Sequence, residues 1–178
     1  MKLAQLIETV KPLAVEGALD REITGIAYDS RRVMPGNLFV AVRGTREDGH
    51  RFVNMAIERG AAAVIFEQDC CLSPRATRIK VRDARRTMAL VADCFYQHPS
   101  QKLRVIGVTG TNGKTTTAFM VKAVLEAAGI KSGLLGTVQY EIGSRIIPAS
   151  RTTPESVEIQ DMFHQMVRSG CGGAAMEV

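Results

Sequence analysis

The sequence predicts an α/β protein, with a small N-terminal α/β domain at 1–98 followed by the opening of a mostly parallel α/β domain at 99–178. Three observations carry that expectation. Strand-like apolar runs alternate with helical patterns along the 178 residues, as they do when helices cover a sheet. One glycine-rich loop lies between an apolar run and a helical stripe. Apolar residues make up 46% and charged residues 23% of the chain, which is ordinary for a folded protein with a sizeable core.

In chain order, residues 3–10 are expected as a short helix, followed by strands around 23–28 and 37–42. A helix at about 50–59, strands at 62–66 and 78–81, and a helix at 85–96 complete the first domain. Pro35-Gly36 and Asp48-Gly49 supply turns between these elements. The polar stretch Gln97-His98-Pro99-Ser100-Gln101 is the seam. Beyond it come a strand at 103–109, a helix at 114–128 closed by Gly129, a strand at 131–138 and a hairpin around Glu141-Ile142-Gly143-Ser144. The apolar stripe Met120, Ala123, Val124, Ala127 and Ala128 predicts the face of the 114–128 helix that lies on the sheet. A last helix opens after Thr153-Pro154, with threonine as N-cap and proline in its first position. Its stripe is Ile159, Met162, Phe163, Met166 and Val167, and Gly170 closes it. Residues 174–178 read as a strand. A chain that stops inside a strand is expected to be a piece of a longer protein.

The chemistry concentrates in Gly110-Thr111-Asn112-Gly113-Lys114-Thr115-Thr116-Thr117. Strand, glycine loop, Lys-Thr and helix together wrap a nucleotide's phosphates in backbone N–H groups, reinforced by the helix N-terminus. Gly110, Thr111, Asn112, Gly113, Lys114, Thr115 and Thr116 are therefore expected to bind ATP. Lys114 reaches the β- and γ-phosphates as the catalytic cation, and Thr115 places its hydroxyl on Mg²⁺. A glycine-rich helix cap with an incidental lysine is the bland reading, and the flanking strand and helix argue against it. The general phosphate-loop pattern has a glycine where Val108 stands. The shorter form present here, Thr109-Gly110-Thr111-Asn112-Gly113-Lys114-Thr115, resembles the Mur ligase family.

Further blocks extend the resemblance: Tyr28-Asp29-Ser30-Arg31 with Met34-Pro35-Gly36-Asn37, Gly44-Thr45-Arg46-Glu47-Asp48-Gly49-His50, Arg151-Thr152-Thr153-Pro154-Glu155 and Met176-Glu177-Val178. Singly, each also reads as a turn, a helix entry or a strand end. Jointly they are similar to the Mur ligases that add the third residue of the cell-wall peptide. The resemblance implies that the first domain holds the UDP end of UDP-MurNAc-L-Ala-D-Glu, through Ser30, Gly44, Thr45 and Arg46. It also implies that Asn112, Thr152 and Thr153 lie at the muramoyl end, and that Thr115 and Glu177 hold Mg²⁺. The implied reaction is ATP-dependent amide formation with a diamino acid, meso-2,6-diaminopimelate or L-lysine, through an acyl phosphate on the D-glutamate. Diaminopimelate is preferred as the commoner substrate among such enzymes. The family's amino-acid-binding third domain is absent, so the chain alone is expected to be inactive. The dipeptide-adding Mur ligases, the folylpolyglutamate ligases, a phosphate-loop NTPase and a non-catalytic nucleotide-binding module remain as rivals.

Bulk properties narrow the field. A net charge of +5 without a basic run, and 5% aromatic residues, give no footprint for nucleic acid. No run approaches the ~20 apolar residues of a membrane span. Cys70, Cys71, Cys94 and Cys171 form no Cys-x-x-Cys pair, and reduced thiols in a cytosolic protein are expected. His50, His98 and His164 lack metal-ligand spacing and are expected as surface or capping residues. The resulting expectation is a cytoplasmic monomer that uses ATP and Mg²⁺.

Overall fold

A computed structural model describes residues 1–44, 47–68, 73–149 and 151–178. Thr45, Arg46, Cys70 and Cys71 lie outside the described residues. The chain divides into two compact units, Met1–Phe95 and Tyr96–Val178.

The first unit contains α1 (Leu3–Glu8), β1 (Ala14–Glu16), β2 (Gly25–Ala27), β3 (Asn37–Val40), α2 (Val53–Glu58), β4 (Ala63–Phe66), β5 (Thr77–Lys80) and α3 (Ala84–Phe95). Its sheet runs β1-β5-β4-β3-β2. The pairs β2/β3, β3/β4 and β4/β5 are parallel, while β1 adds an antiparallel edge. Every residue of β3 and β4 is buried, which is why those segments read as unbroken apolar runs rather than alternating ones. Phe39 and Val64 pack with Val53 and Ala56 of α2 in one core. The helix expected at about 50–59 begins as a 3₁₀ turn, Gly49–Phe52, because the Asp48 side chain caps it by accepting from the His50 amide at 3.0 Å. A second 3₁₀ turn, Ser30–Arg32, is capped in the same way by Asp29.

The second unit contains β6 (Arg104–Val108), α4 (Lys114–Ala127), β7 (Ser132–Leu135), β8 (Gln139–Ile142), β9 (Arg145–Pro148), α5 (Ser156–Arg168) and β10 (Gly173–Glu177). The order is β6-β10-β7-β8-β9. β10 lies parallel between β6 and β7, and the β8–β9 hairpin extends the sheet antiparallel. The strand expected over 131–138 ends at Leu135. Gly136 and Thr137 turn out of it, and the Gly136 amide donates to the Gln139 carbonyl at 3.2 Å.

Two local expectations are corrected. The predicted sheet-facing stripe of α4 is on the outside, with Met120 62% and Val124 68% exposed. Ala118 is buried instead and packs with Leu134 and Ala175, with Phe119 and Val121 partly buried beside them. Thr115, Ala118, Lys122 and Leu125 share this face by helical spacing. The face of α4 on the sheet is therefore the one that carries Thr115 and Ala118, not the larger apolar stripe. The N-cap of α5 is Glu155 rather than Thr153. Glu155 and Glu158 form a reciprocal capping box, the Glu155 amide donating to Glu158 Oε2 at 3.0 Å. Thr153 precedes Pro154, a setting that disfavours helical backbone, and its hydroxyl is engaged elsewhere.

Candidate nucleotide and metal site

The register Glu177↔Val108 sets the last residue of β10 level with the last residue of β6. Both lie at the carboxyl ends of parallel strands, where ligands of open α/β sheets gather. The chain leaves β6 through Thr109-Gly110-Thr111-Asn112 and enters α4 with Gly113 as a left-handed N-cap, φ +76°. A Cβ there would meet nothing within 4 Å, so the glycine serves the sign of φ, not space. No side chain caps the first turn of α4, which leaves its amides available for an anion. Lys114 Nζ donates to the Gly110 carbonyl at 2.7 Å, so the ammonium lies folded across the loop.

Glu177 is 1% exposed and is gripped from two sides. Its Oε2 accepts from the Thr115 hydroxyl at 3.1 Å and from the Thr137 hydroxyl at 3.0 Å, and its Oε1 accepts from the Thr137 amide at 2.8 Å. Burial pushes the carboxyl up. The Thr137 amide and hydroxyl, the Thr115 hydroxyl and the Lys114 charge outweigh burial and hold Glu177 below the usual glutamate range. The Thr137 hydroxyl also lies 3.2 Å from that of Thr152, and the Thr153 hydroxyl donates to the Glu177 carbonyl at 3.3 Å. These groups border an open cleft of about 370 Å³, lined by Thr111, Asn112, Gly113, Thr116, Lys114, Thr115, Thr137, Thr152 and Glu177. Gly110 and Thr153 stand behind the lining and support Lys114 and Glu177.

The donors fit Mg²⁺. A carboxylate held ionised beside a hydroxyl is the hard oxygen set that this ion takes together with phosphate oxygens and water. Among the described residues no three His, Cys, Asp or Glu side chains group as a metal cage.

In the first unit, Ser30 and Gly44 follow the adjacent parallel strands β2 and β3, so they lie beyond the same sheet edge. The Ser30 side chain is buried, its hydroxyl 3.7 Å from Met55 Sδ. The Gly44 amide donates to the Glu47 carbonyl at 2.9 Å. His50, expected at the surface or as a cap, has its side chain inside, where it takes a backbone amide. Its side chain is 8% exposed, its Nδ1 lies 2.6 Å from Asp48 Oδ1, and its Nε2 accepts from the Glu67 amide at 3.0 Å. With Nε2 an acceptor, the proton belongs on Nδ1. His164 Nδ1 lies 3.0 Å from the Tyr96 carbonyl.

Two family profiles match the chain, the Mur ligase family catalytic domain over residues 22–96 and the Mur ligase middle domain over residues 108–178. The chain belongs to the Mur ligase family. Over all 178 residues this Mur ligase is 46% identical to the UDP-N-acetylmuramoyl-L-alanyl-D-glutamate–2,6-diaminopimelate ligase of Geobacter sulfurreducens and 44% identical to that of Caldanaerobacter subterraneus. It covers 35% and 37% of those proteins, so the chain spans about a third of the length of the curated relatives it matches. A solved structure of an enzyme of the same name superposes over 100% of this chain and 36% of its own, with a TM-score of 0.81 at 26% identity. The structure of MurF from Thermotoga maritima in complex with ADP matches 86% of this chain and 31% of its own, with a TM-score of 0.59 at 25% identity.

Thr137, which lines the candidate site and holds Glu177, is not among the residues the sequence singled out. Its one signal, a glycine-threonine pair closing an apolar strand, is too common to single out.

Proposed function

We propose that this Mur ligase chain supplies the nucleotide site and the UDP-sugar domain of a cytoplasmic, ATP-dependent amide ligase. The ligase adds meso-2,6-diaminopimelate to UDP-MurNAc-L-Ala-D-Glu in peptidoglycan synthesis. The observation that carries the reading is the convergence of Lys114, Thr115 and the ionised Glu177 at an uncapped helix N-terminus, in a chain whose relatives bear that enzyme's name. Among the described residues no helix is long and apolar enough to cross a membrane.

The chemistry is amide formation through an acyl phosphate on the D-glutamate carboxylate, with ATP as phosphoryl donor. The loop amides at Gly113 to Thr116 cradle the phosphates, and Lys114 turns from the Gly110 carbonyl to offset charge on the transferring group. Thr115 and Glu177 hold Mg²⁺, which supplies further neutralisation of the phosphate oxygens. Asn112 and Thr152 meet the muramoyl end of the substrate, with Thr153 supporting the site from behind the lining. Ser30, Gly44, Thr45 and Arg46 take the UDP end, where hydroxyl, amide and guanidinium donors suit a ribose and a diphosphate.

The test is phosphate release by the protein expressed from its complete gene, given ATP, Mg²⁺, UDP-MurNAc-L-Ala-D-Glu and one diamino acid at a time. Release that requires the UDP-substrate and diaminopimelate is expected. Release with L-lysine alone would reassign the added residue, release with D-Ala-D-Ala would point to the dipeptide-adding branch, and release indifferent to both substrates would leave only a phosphate-loop NTPase.

A further inference from the structure

We propose that Thr137 is a positioning residue that couples the cation side of the cleft to the muramoyl side through a single hydroxyl proton. The inference rests on the functional reading above. Thr137 sits just after Gly136, where a Cβ would come 2.8 Å from Glu177 Oε1. The glycine therefore lets this connection approach the carboxylate. The Thr137 amide is committed to Oε1, while its hydroxyl has two partners within reach, Glu177 Oε2 at 3.0 Å and the Thr152 hydroxyl at 3.2 Å.

A hydroxyl carries one proton and two lone pairs. An ionised carboxylate can only accept, so the Thr137 proton goes to Glu177. The contact with Thr152 is then satisfied only if Thr152 donates to Thr137. The chain of donation runs from Thr152 to Thr137 to Glu177, and it occupies the Thr152 proton. A cation held by Thr115 and Glu177 would draw on the Oε2 lone pairs that the two hydroxyls now share, and the Thr137 proton would then turn to Thr152. Thr152 then becomes an acceptor on that side, and its own proton is freed for a ligand. Occupancy beside Glu177 thus decides whether Thr152 can donate to the UDP-substrate, whose oxygens are acceptors. The two ligands should bind with positive coupling.

The measurement is calorimetric titration of UDP-MurNAc-L-Ala-D-Glu into the protein expressed from its complete gene, with and without Mg²⁺ and a non-hydrolysable ATP analogue. The unmodified protein should bind the UDP-substrate about fivefold or more tightly when the nucleotide and Mg²⁺ are present, at the lower end of common coupling strengths. Thr137→Val keeps the shape and the amide contact but has no hydroxyl, and should reduce that ratio to within about twofold of one. Thr137→Ser should restore the ratio. Unchanged coupling in Thr137→Val, or no coupling in the unmodified protein while both ligands bind, would overturn the proposal and leave the ligase reading standing. Failure of the unmodified protein to bind either ligand would overturn the ligase reading and this proposal with it.

Discussion

The hydroxyl of Thr115 and the carboxylate of Glu177 meet at 3.1 Å although 62 residues separate them in the chain. One lies in the first turn of α4 and the other ends β10. Their contact ties the start of α4 to an interior strand of the sheet, on the side of the helix that is buried.

Lys114→Ala should lower ligase turnover by roughly 10²–10³-fold, the usual loss when one preorganised charge-stabilising donor is removed. Binding of the UDP-substrate should stay within a few-fold of the unmodified protein, because the role proposed for Lys114 lies on the phosphate side. Phosphate release and a UDP-substrate titration on the same preparation check both halves. Equal loss in the two would mean that Lys114 holds the site together and does not act on phosphate.

Gly113→Ala tests the left-handed cap. Space is free around that position, so the whole cost comes from φ +76°. It should be about 1–2 kcal/mol, read as a lower unfolding midpoint and weaker binding of an ATP analogue. A neutral result would mean that the loop reaches its conformation without needing glycine there.

Acid should loosen the first unit through Asp48. The hydrogen bond from the His50 side chain, chiefly, with the His50 amide and the Arg43 charge, holds this carboxyl below its ordinary 3.8. A carboxyl that is lowered on folding releases its proton more readily in the native state, so stability rises with pH where the unfolded chain binds more protons. The contribution is complete above the ordinary value and is lost as pH falls through the lowered one. Unfolding free energies of the unmodified chain and Asp48→Asn should therefore differ at pH 6 and converge toward pH 3. A gap that stays constant over that range would show that Asp48 acts only through its shape.

The two faces of α4 should respond oppositely to substitution in the 178-residue chain. Met120→Lys, on the exposed side, should change stability by less than about 0.5 kcal/mol. Ala118→Leu must fit against Leu134 and Ala175 and should cost about 1–3 kcal/mol from overpacking. Urea unfolding of both variants decides between the observed phase of the helix and the one its larger apolar stripe suggests.

The strand-loop-helix unit proposed to hold phosphate was legible because it is local: seven consecutive residues from Gly110 to Thr116 mark it. The α/β class and most strands were legible for the same reason, since buried parallel strands such as β3 and β4 leave unbroken apolar runs. Thr137 was not, because its value arises only when β10 inserts beside β7, and no pattern within residues 131–138 records that neighbour. The phase of α4 was misread because two apolar sets compete in that helix, Met120 with Val124 and Ala118 with Val121. Periodicity cannot rank them, whereas the tertiary contacts of Thr115 and Ala118 do. The Thr153 cap failed in a similar way. Its hydroxyl was suited to cap a helix, but the Glu177 carbonyl engages it. β1, three residues long and antiparallel at an edge, left no period to detect.

The position of β10 between β6 and β7 also governs when the site can exist during synthesis. Residues 104–135 leave the ribosome first and supply the lysine, the loop and both flanking strands, while the strand that belongs in the gap follows only after α5. A nascent chain of 172 residues holds the loop and the lysine but lacks the carboxylate proposed to steady a metal. Late insertion of a central parallel strand is a non-local step, of the kind that slows folding. It makes the proposed nucleotide site one of the last features this half of the chain assembles.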